Sequence, residues 1–351
     1  MGYPLYIFIS SPFTVASPPF TIASSMWGVW GRWRLHNKID SVLLFLINKT
    51  KMPKESWQHL TKKNHHPRDD HIAFDEPTHK YYVNGSCQGN ISCTGFIHEF
   101  FGHFDGKAIL TKMRKGPNWA TSKYFGRTDE EIMKEWSDNG KVASSAGTAM
   151  HLAIEQFLHG APEEINPAIL ETPEWKYFMK FWNDCGHDLE PYRSEWEVFT
   201  DSLDPTCTDK KIKLCGSIDM VYRRKSDGKF VIYDWKRSKE IKSENPFGSG
   251  LAPLEHLPDT NYWHYTMQLN VYKWILETYY GVEVADLYLV ILHPDNPSYR
   301  RMRLNIMTDE VEDMIECRRR AVAAGCKQAV ILPIPEPEEK STPLAAFSFK
   351  F

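Results

Sequence analysis

Cysteine is scarce and poorly spaced for cross-linking. Cys87, Cys93, Cys185, Cys207, Cys215, Cys317 and Cys326 are scattered, odd in number and contain no CxxC pair, which excludes a disulfide framework and the paired-cysteine pattern of a zinc site. The expected setting is an intracellular reducing compartment, nucleus or cytoplasm first and mitochondrion second. An excess of charge is also missing. The formal net charge of -3 excludes a globally basic chain, so any nucleic-acid surface has to be local. One stretch qualifies: between Asp209 and Lys242 eleven Lys/Arg face five Asp/Glu, a pattern that a basic patch shares with a solvated strand pair. No long apolar run exists. The opening Tyr3–Ile9 is followed or interrupted by Pro4, Pro12, Pro18 and Pro19 before it reaches membrane-spanning length, so no membrane partner is expected.

What is present is a globular chain of 351 residues, 42% hydrophobic, enough for one large domain or two small ones. Met1 to Lys38 contains no acidic residue. With Arg32, Arg34 and Lys38 it has something of a presequence, but it lacks an Arg-rich amphipathic period, and an unstructured extension or a mis-assigned start fits it better. The polar stretch Lys51 to Asp70 reads as its linker. The expected organisation is an extension over 1–70, a hairpin and helical subdomain over 71–140, an α/β core over 141–332, and a Pro-rich tail over 333–351. In the subdomain, IAFDEPTHKYYVNG from Ile72 predicts a hairpin. Thr94 to Phe104 predicts an aromatic-rich helix, and Asp129, Glu130 and Glu131 suit the first turn of another. Asp309 to Gly325 reads as an acidic-to-basic amphipathic helix.

The core reads as helix, strand, strand, strand, helix, strand. Gly147-Thr148 is expected to open a helix over Ala149–Leu158, with Met150, Ile154, Phe157 and Leu158 as its apolar stripe. His151 and Glu155 are one turn apart on one face, where they could share a metal or form an ordinary surface pair. Strands are expected over Arg193–Phe199, Leu214–Arg224 and Lys229–Lys236. A two-residue type I′ turn at Asp227-Gly228 would set Asp219 opposite Lys236 and Val221 opposite Asp234. The period of two then sends Asp219, Asp234 and Lys236 to one sheet face, with Tyr233 and Trp235 on the other. An Asp219–Lys236 ion pair would account for two of the three groups and leave Asp234 unpartnered. Mg²⁺, which takes a few oxygen ligands and keeps waters, would satisfy both carboxylates.

Gly216-Ser217-Ile218-Asp219, followed by a hairpin and Val231-Ile232-Tyr233-Asp234-Trp235-Lys236, resembles the D…(D/E)xK signature of the PD-(D/E)XK nucleases. Gly147-Thr148-Ala149-Met150-His151 is similar to the helix-borne histidine motif of RecB-like and Cas4-like members, and Gln268-Leu269-Asn270-Val271-Tyr272 to their QxxxY helix. The segment from His71 to Phe104 resembles the lead-in of some phage and giant-virus relatives. The resemblance implies an α/β fold with a mixed central sheet flanked by helices (αβββαβ). It implies a Mg²⁺-dependent deoxyribonuclease, with Mn²⁺ as a substitute, acting as an exonuclease in DNA repair, recombination or replication. Asp219 and Asp234 would ligate metal with the Trp235 carbonyl, Lys236 would position and activate water, and His151 would ligate or tune the metal. Glu195 is expected as the first-strand acid, with Glu197 as the alternative. Gln268 and Tyr272 would hold the DNA backbone, although an aromatic helix can place such a pair simply for packing. Arg237 and Lys239 would contact phosphate or stand as solvated edge charges. With only Cys317 and Cys326 late in the chain, no iron-sulfur cluster is expected. DNA is the expected partner, with a helicase or replication and repair proteins beside it. The competing class is a non-catalytic DNA-binding or assembly module on the same fold.

Overall fold

A computed structural model describes residues 58–102, 105–203, 212–246 and 248–326. The earlier part of the expected extension, through residue 57, and the Pro-rich tail lie outside the described residues. No helix among those described is long and apolar enough to cross a membrane.

The chain enters with α1 (His59–Lys63) and a 3-10 turn (Pro67–His71), followed by the hairpin β1 (Ile72–Asp75) and β2 (Lys80–Val83). β3 (Ile91–Ser92) leads directly into α2 (Cys93–His98), which is capped by the Ser92 hydroxyl and is shorter than the helix expected to Phe104. α3 (Gly106–Lys115) precedes α4 (Asp129–Leu158). A short α5 (Pro167–Leu170) and α6 (Pro173–Cys185) lead into β4 (Leu189–Phe199), β5 (Leu214–Arg224) and β6 (Phe230–Lys236). Then come α7 (Asn261–Tyr279), β7 (Val284–Ile291), β8 (Arg300–Arg303) and α8 (Thr308–Ala323).

Two expectations are corrected at the front of the molecule. Residues 58–70 are folded rather than part of a linker: Asn64 donates to the Tyr192 carbonyl at 2.8 Å, and Asp69 takes Arg193 at 2.6 Å and the Trp196 indole at 3.0 Å, all on β4. The helix carrying His151 does not open at Gly147-Thr148. It starts eighteen residues earlier, where Thr128 and Glu131 form a reciprocal capping box and Asp129, Glu130 and Glu131 complement the helix dipole. Gly147 is simply carried inside it, and the boundary expected near residue 140 falls within a continuous helix.

The main sheet is mixed and runs β3-β5-β6-β7-β8, with β4 also paired to β5. β3–β5 and β6–β7 are parallel and the other pairs antiparallel. Central strands covered on both faces need near-continuous apolar sequence, and β6 is buried from Val231 to Trp235. One face packs Trp196, Ile218, Val221 and Ile232 against α2, α7 and α8. The other packs Met220, Tyr222, Tyr233 and Trp235 against α4 and α6.

The β5–β6 register differs from the expected one. Pairs run from Met220↔Tyr233 to Arg223↔Phe230, a slip of two residues. The cause is the turn: Gly228 N donates to the Arg224 carbonyl at 2.7 Å and Arg224 N to the Lys229 carbonyl at 2.8 Å, closing a four-residue loop. In that loop only Gly228 has positive φ, whereas a type I′ turn needs it at both central residues. A slip of two preserves which face each β6 side chain occupies, but it takes Lys236 away from Asp219.

β5 departs from its expectation in a second way. Ile218 and Met220, two residues apart, pack on opposite faces, so alternation breaks at Asp219. On the edge of β5 away from β4, β3 pairs with Leu214 and Cys215, and β6 pairs only from Met220 onward. Gly216 to Asp219 therefore lie where the sheet is split, and the expected flat face of three charges is replaced by a cleft between parting strands.

Candidate active site

The split exposes the backbone of β6, and side chains satisfy it. Trp235 N donates to Asp219 Oδ2 at 2.9 Å, replacing the ladder bond that β5 no longer provides. The Trp235 carbonyl accepts from His151 Nε2 at 2.9 Å. This fixes the other ring nitrogen, Nδ1, toward the acids, 3.6 Å from Asp219 Oδ2 and 3.7 Å from Glu195 Oε1. Glu195 is aimed by its backbone: its φ of 41° is the left-handed region, which costs a non-glycine residue about 1–2 kcal/mol and is kept mainly where function requires it. Ser217 Oγ donates to its Oε2 at 2.8 Å. Ligand atoms of His151, Glu195 and Asp219 all lie within 4.8 Å of one another.

Asp234 and Lys236 adjoin this cluster from the α7 side of β6. The Lys236 ammonium donates to Asp234 Oδ1 at 2.9 Å and lies 2.7 Å from Oδ2. The second contact lacks hydrogen-bond geometry, so the buried Oδ2 has electrostatic compensation but no hydrogen bond. On its other side the ammonium lies 4.8 Å from the centre of the Tyr265 ring.

The electrostatics follow from crowding. Burial, reinforced by Asp234, pushes the Asp219 carboxyl up to about 7. Burial opposes charge on His151, but Asp219 and Glu195 outweigh it and raise the imidazole to about 9. Burial likewise opposes the Lys236 ammonium, and Asp234 and Asp219 hold it protonated. Two acids, Asp219 and Glu195, arranged around a histidine nitrogen and beside the buried Asp234 carboxylate, whose Oδ2 accepts no hydrogen bond, form a donor set suited to a hard divalent cation. The residues present therefore fit such an ion.

The remaining expected residues have distinct placements. Glu155, one turn from His151, is 5% exposed and outside the donor set. Glu197 is likewise outside it. Tyr272 is 4% exposed and packs on Gly216, where a Cβ would sit 2.8 Å from its hydroxyl; Gln268 Nε2 lies 3.5 Å from Thr94 Oγ1. Arg237 is held by Glu174 of α6 at 2.7 Å, with both side chains largely buried, and Lys239 pairs with Asp295 at 2.8 Å in the open. Sequence reasoning passed over Tyr265 and Ser217. Tyr265 carried a signal, since it precedes Gln268 by three residues and Tyr272 by seven, on one face of α7. A shallow basin of about 690 Å³ lined by Lys180, Tyr288, Tyr299 and Arg301 lies on the β8 side, away from this chemistry.

A split mixed sheet flanked by helices, with acids, a histidine and a lysine gathered at the split, is an arrangement suited to metal-assisted hydrolysis. The profile of the PD-(D/E)XK nuclease superfamily matches residues 121–338, well over half of the chain, and the chain belongs to that superfamily. Among solved structures it is similar to a candidate exonuclease from Eubacterium rectale, with 12% identity and a TM-score of 0.33, covering 51% of this chain and 68% of that one. It is also similar to SSO0001, with 12% identity and a TM-score of 0.29, covering 83% and 85%. Neither likeness is strong enough to bear on function. No curated protein matches the chain.

Proposed function

We propose that the protein is a Mg²⁺-dependent deoxyribonuclease acting as an exonuclease in DNA repair, recombination or replication. The observation that supports this reading best is the convergence of His151, Glu195 and Asp219 within 4.8 Å, beside Asp234, whose buried Oδ2 accepts no hydrogen bond. Asp219, Asp234 and Glu195 would hold the ion with His151 Nδ1, and the Trp235 carbonyl would join them by exchanging its bond from His151. The bound cation supplies charge stabilisation for the non-bridging phosphate oxygens. Lys236, held as an ammonium, donates and does not accept, so it positions the attacking water rather than removing its proton. Water oxygen bonds to phosphorus, the bond to the 3′ oxygen breaks, and a proton passes to that leaving oxygen.

Gln268 reaches the site edge and contacts the backbone, while Tyr272 supports it from the core. Arg237 and Lys239 lie at the end of β6, where their pairing with Glu174 and Asp295 must exchange for phosphate to bind. A helicase or other replication and repair protein would deliver the substrate in the nucleus, cytoplasm or mitochondrion. The test is Mg²⁺-dependent degradation of end-labelled linear DNA alongside covalently closed circles, with Asp234→Ala as control. Loss of linear DNA alone by the wild type, and of neither by the variant, supports an exonuclease. Cutting of circles makes it an endonuclease. Binding of DNA by both proteins without cleavage under Mg²⁺ or Mn²⁺ replaces the catalytic reading with the binding-module one.

A further inference from the structure

The segment from Asp105 to Thr148 forms an arm with no role in the site described. It has its own small core: Leu110, Tyr124 and Ile132, flanked by Met113, Trp119, Met133 and Trp136. Between this core and the body, α4 runs from Ser137 to Thr148 without a buried residue. A helix that long does not need to stand in solvent to complete the sheet below it, where burial resumes only at Ala149 and Met150.

The arm is attached on two sides of the site. It leaves after α2, whose end packs on the first turns of α7, with the Phe101 and His264 rings 4.2 Å apart; the next residue, Tyr265, lies against Lys236. It returns along α4, whose His151 reaches Asp219 and Glu195 from the opposite layer. At 1.5 Å per residue the arm's core sits about 22 Å along α4 from His151, within a few nucleotides of the reacting phosphate.

Its first half is basic: residues 105–128 contain six Lys/Arg and one acid, whereas residues 129–148 contain two Lys/Arg and five acids. Arg114 is matched by Asp129, and Arg127 and Lys123 by Glu135. Lys107, Lys112 and Lys115 are exposed, and at 100° per residue they span about 140° of α3, opposite Leu110 and Met113. Phe125, linked to α3 through Trp119 and Arg114, is 59% exposed. It stands edge-on to Trp119 with ring centroids 6.4 Å apart, and the Arg114 guanidinium covers the Trp119 ring at 4.6 Å. Lysines together with an exposed aromatic step match a polyanion whose bases are unstacked. A duplex hides its base faces and gives Phe125 nothing to stack on.

We propose that this arm binds the single-stranded portion of the nucleic-acid substrate, its lysines on phosphates and Phe125 on a base, as the strand leads into the cleft. This rests on the nuclease reading of the site.

The test uses the full chain in EDTA with fluorescein-labelled oligothymidylate, comparing wild type, the triple variant Lys107→Ala/Lys112→Ala/Lys115→Ala, and Phe125→Ala. The triple variant is expected to bind about tenfold more weakly, with a slope of log K against log salt shallower by about 2. Phe125→Ala is expected to lose about fivefold, with the slope unchanged. Hydrolysis of bis(p-nitrophenyl) phosphate with Mn²⁺, too small to reach the arm, should stay within about twofold for both, as for other distant surface changes. Wild-type affinity and slope in the triple variant overturn the proposal, as do equal losses on blunt duplex, or loss of the small-substrate activity. Failure of the wild type to cut any nucleic acid instead overturns the nuclease reading.

Discussion

Replacing Asp219 by Asn should stabilise the metal-free protein at alkaline pH while removing its response to metal. Asp219 goes from 3.8 when free to about 7 in the fold. At about 1.4 kcal/mol per pH unit, the charged carboxylate then costs the folded state up to about 4 kcal/mol. The sign is that of a raised acid: between these two values the folded state binds the extra proton, so the penalty grows as pH rises and is complete above 7. Asn keeps an acceptor for Trp235 N but gives up the attraction to His151, 3.6 Å away. The shift to about 7 already contains that attraction, so the net gain at pH 8 is at most about 4 kcal/mol, and there is none near pH 4. Urea midpoints in EDTA and in Mg²⁺ measure both effects. Wild type should gain about 2.7 kcal/mol at Mg²⁺ one hundred times its dissociation constant, the variant much less. A variant less stable than wild type in EDTA at pH 8, or one that Mg²⁺ stabilises as fully, would refute the electrostatic account.

Three other outcomes are expected. Gly216→Ala drives a methyl into the buried Tyr272 ring and should cost about 1–3 kcal/mol in a urea melt, partly recovered by a second change, Tyr272→Leu; a loss under about 0.5 kcal/mol would show that the ring can move. Calorimetric titration of Mn²⁺ should find binding weakened at least about tenfold by Glu195→Gln and unchanged by Glu197→Gln, and the reverse order would move the first-strand acid to Glu197. His159, 3% exposed, is lowered to about 4, first by burial and then by His59 and Arg193, and its Nδ1 accepts from Leu60 N. Its stabilising contribution is therefore full above pH 6.5 and fades toward pH 4 as the unfolded chain takes up the proton, by up to about 3 kcal/mol. His159→Asn, which keeps an acceptor but does not titrate, should flatten that part of the stability profile, and an unchanged profile would contradict the assignment.

The sequence by itself determined the elements and much of the chemistry, because both depend on short-range pattern. The β-branched and aromatic runs of Leu214–Arg224 and the alternation around Asp234-Trp235-Lys236 are local, so the strands, the β6 side chains on each face and the order of motifs could be read directly. The first-turn acids Asp129, Glu130 and Glu131 were equally visible, although Gly147-Thr148 drew the start of the His151 helix too far along. The tertiary structure decided what depends on distance. The register turned on the conformation of Lys225–Gly228, where one positive φ rather than two moved Lys236 from Asp219 to Asp234. Glu195 was separated from Glu197 by a backbone inversion that no periodicity encodes. His151 meets the Trp235 carbonyl across 84 residues, and Tyr265 comes to Lys236 from a different layer. The cleft exists because β5 leaves β6 at Asp219, and whether two strands stay paired is settled by how the helices pack on both faces of the sheet, a property of the assembled layers and not of either strand's sequence.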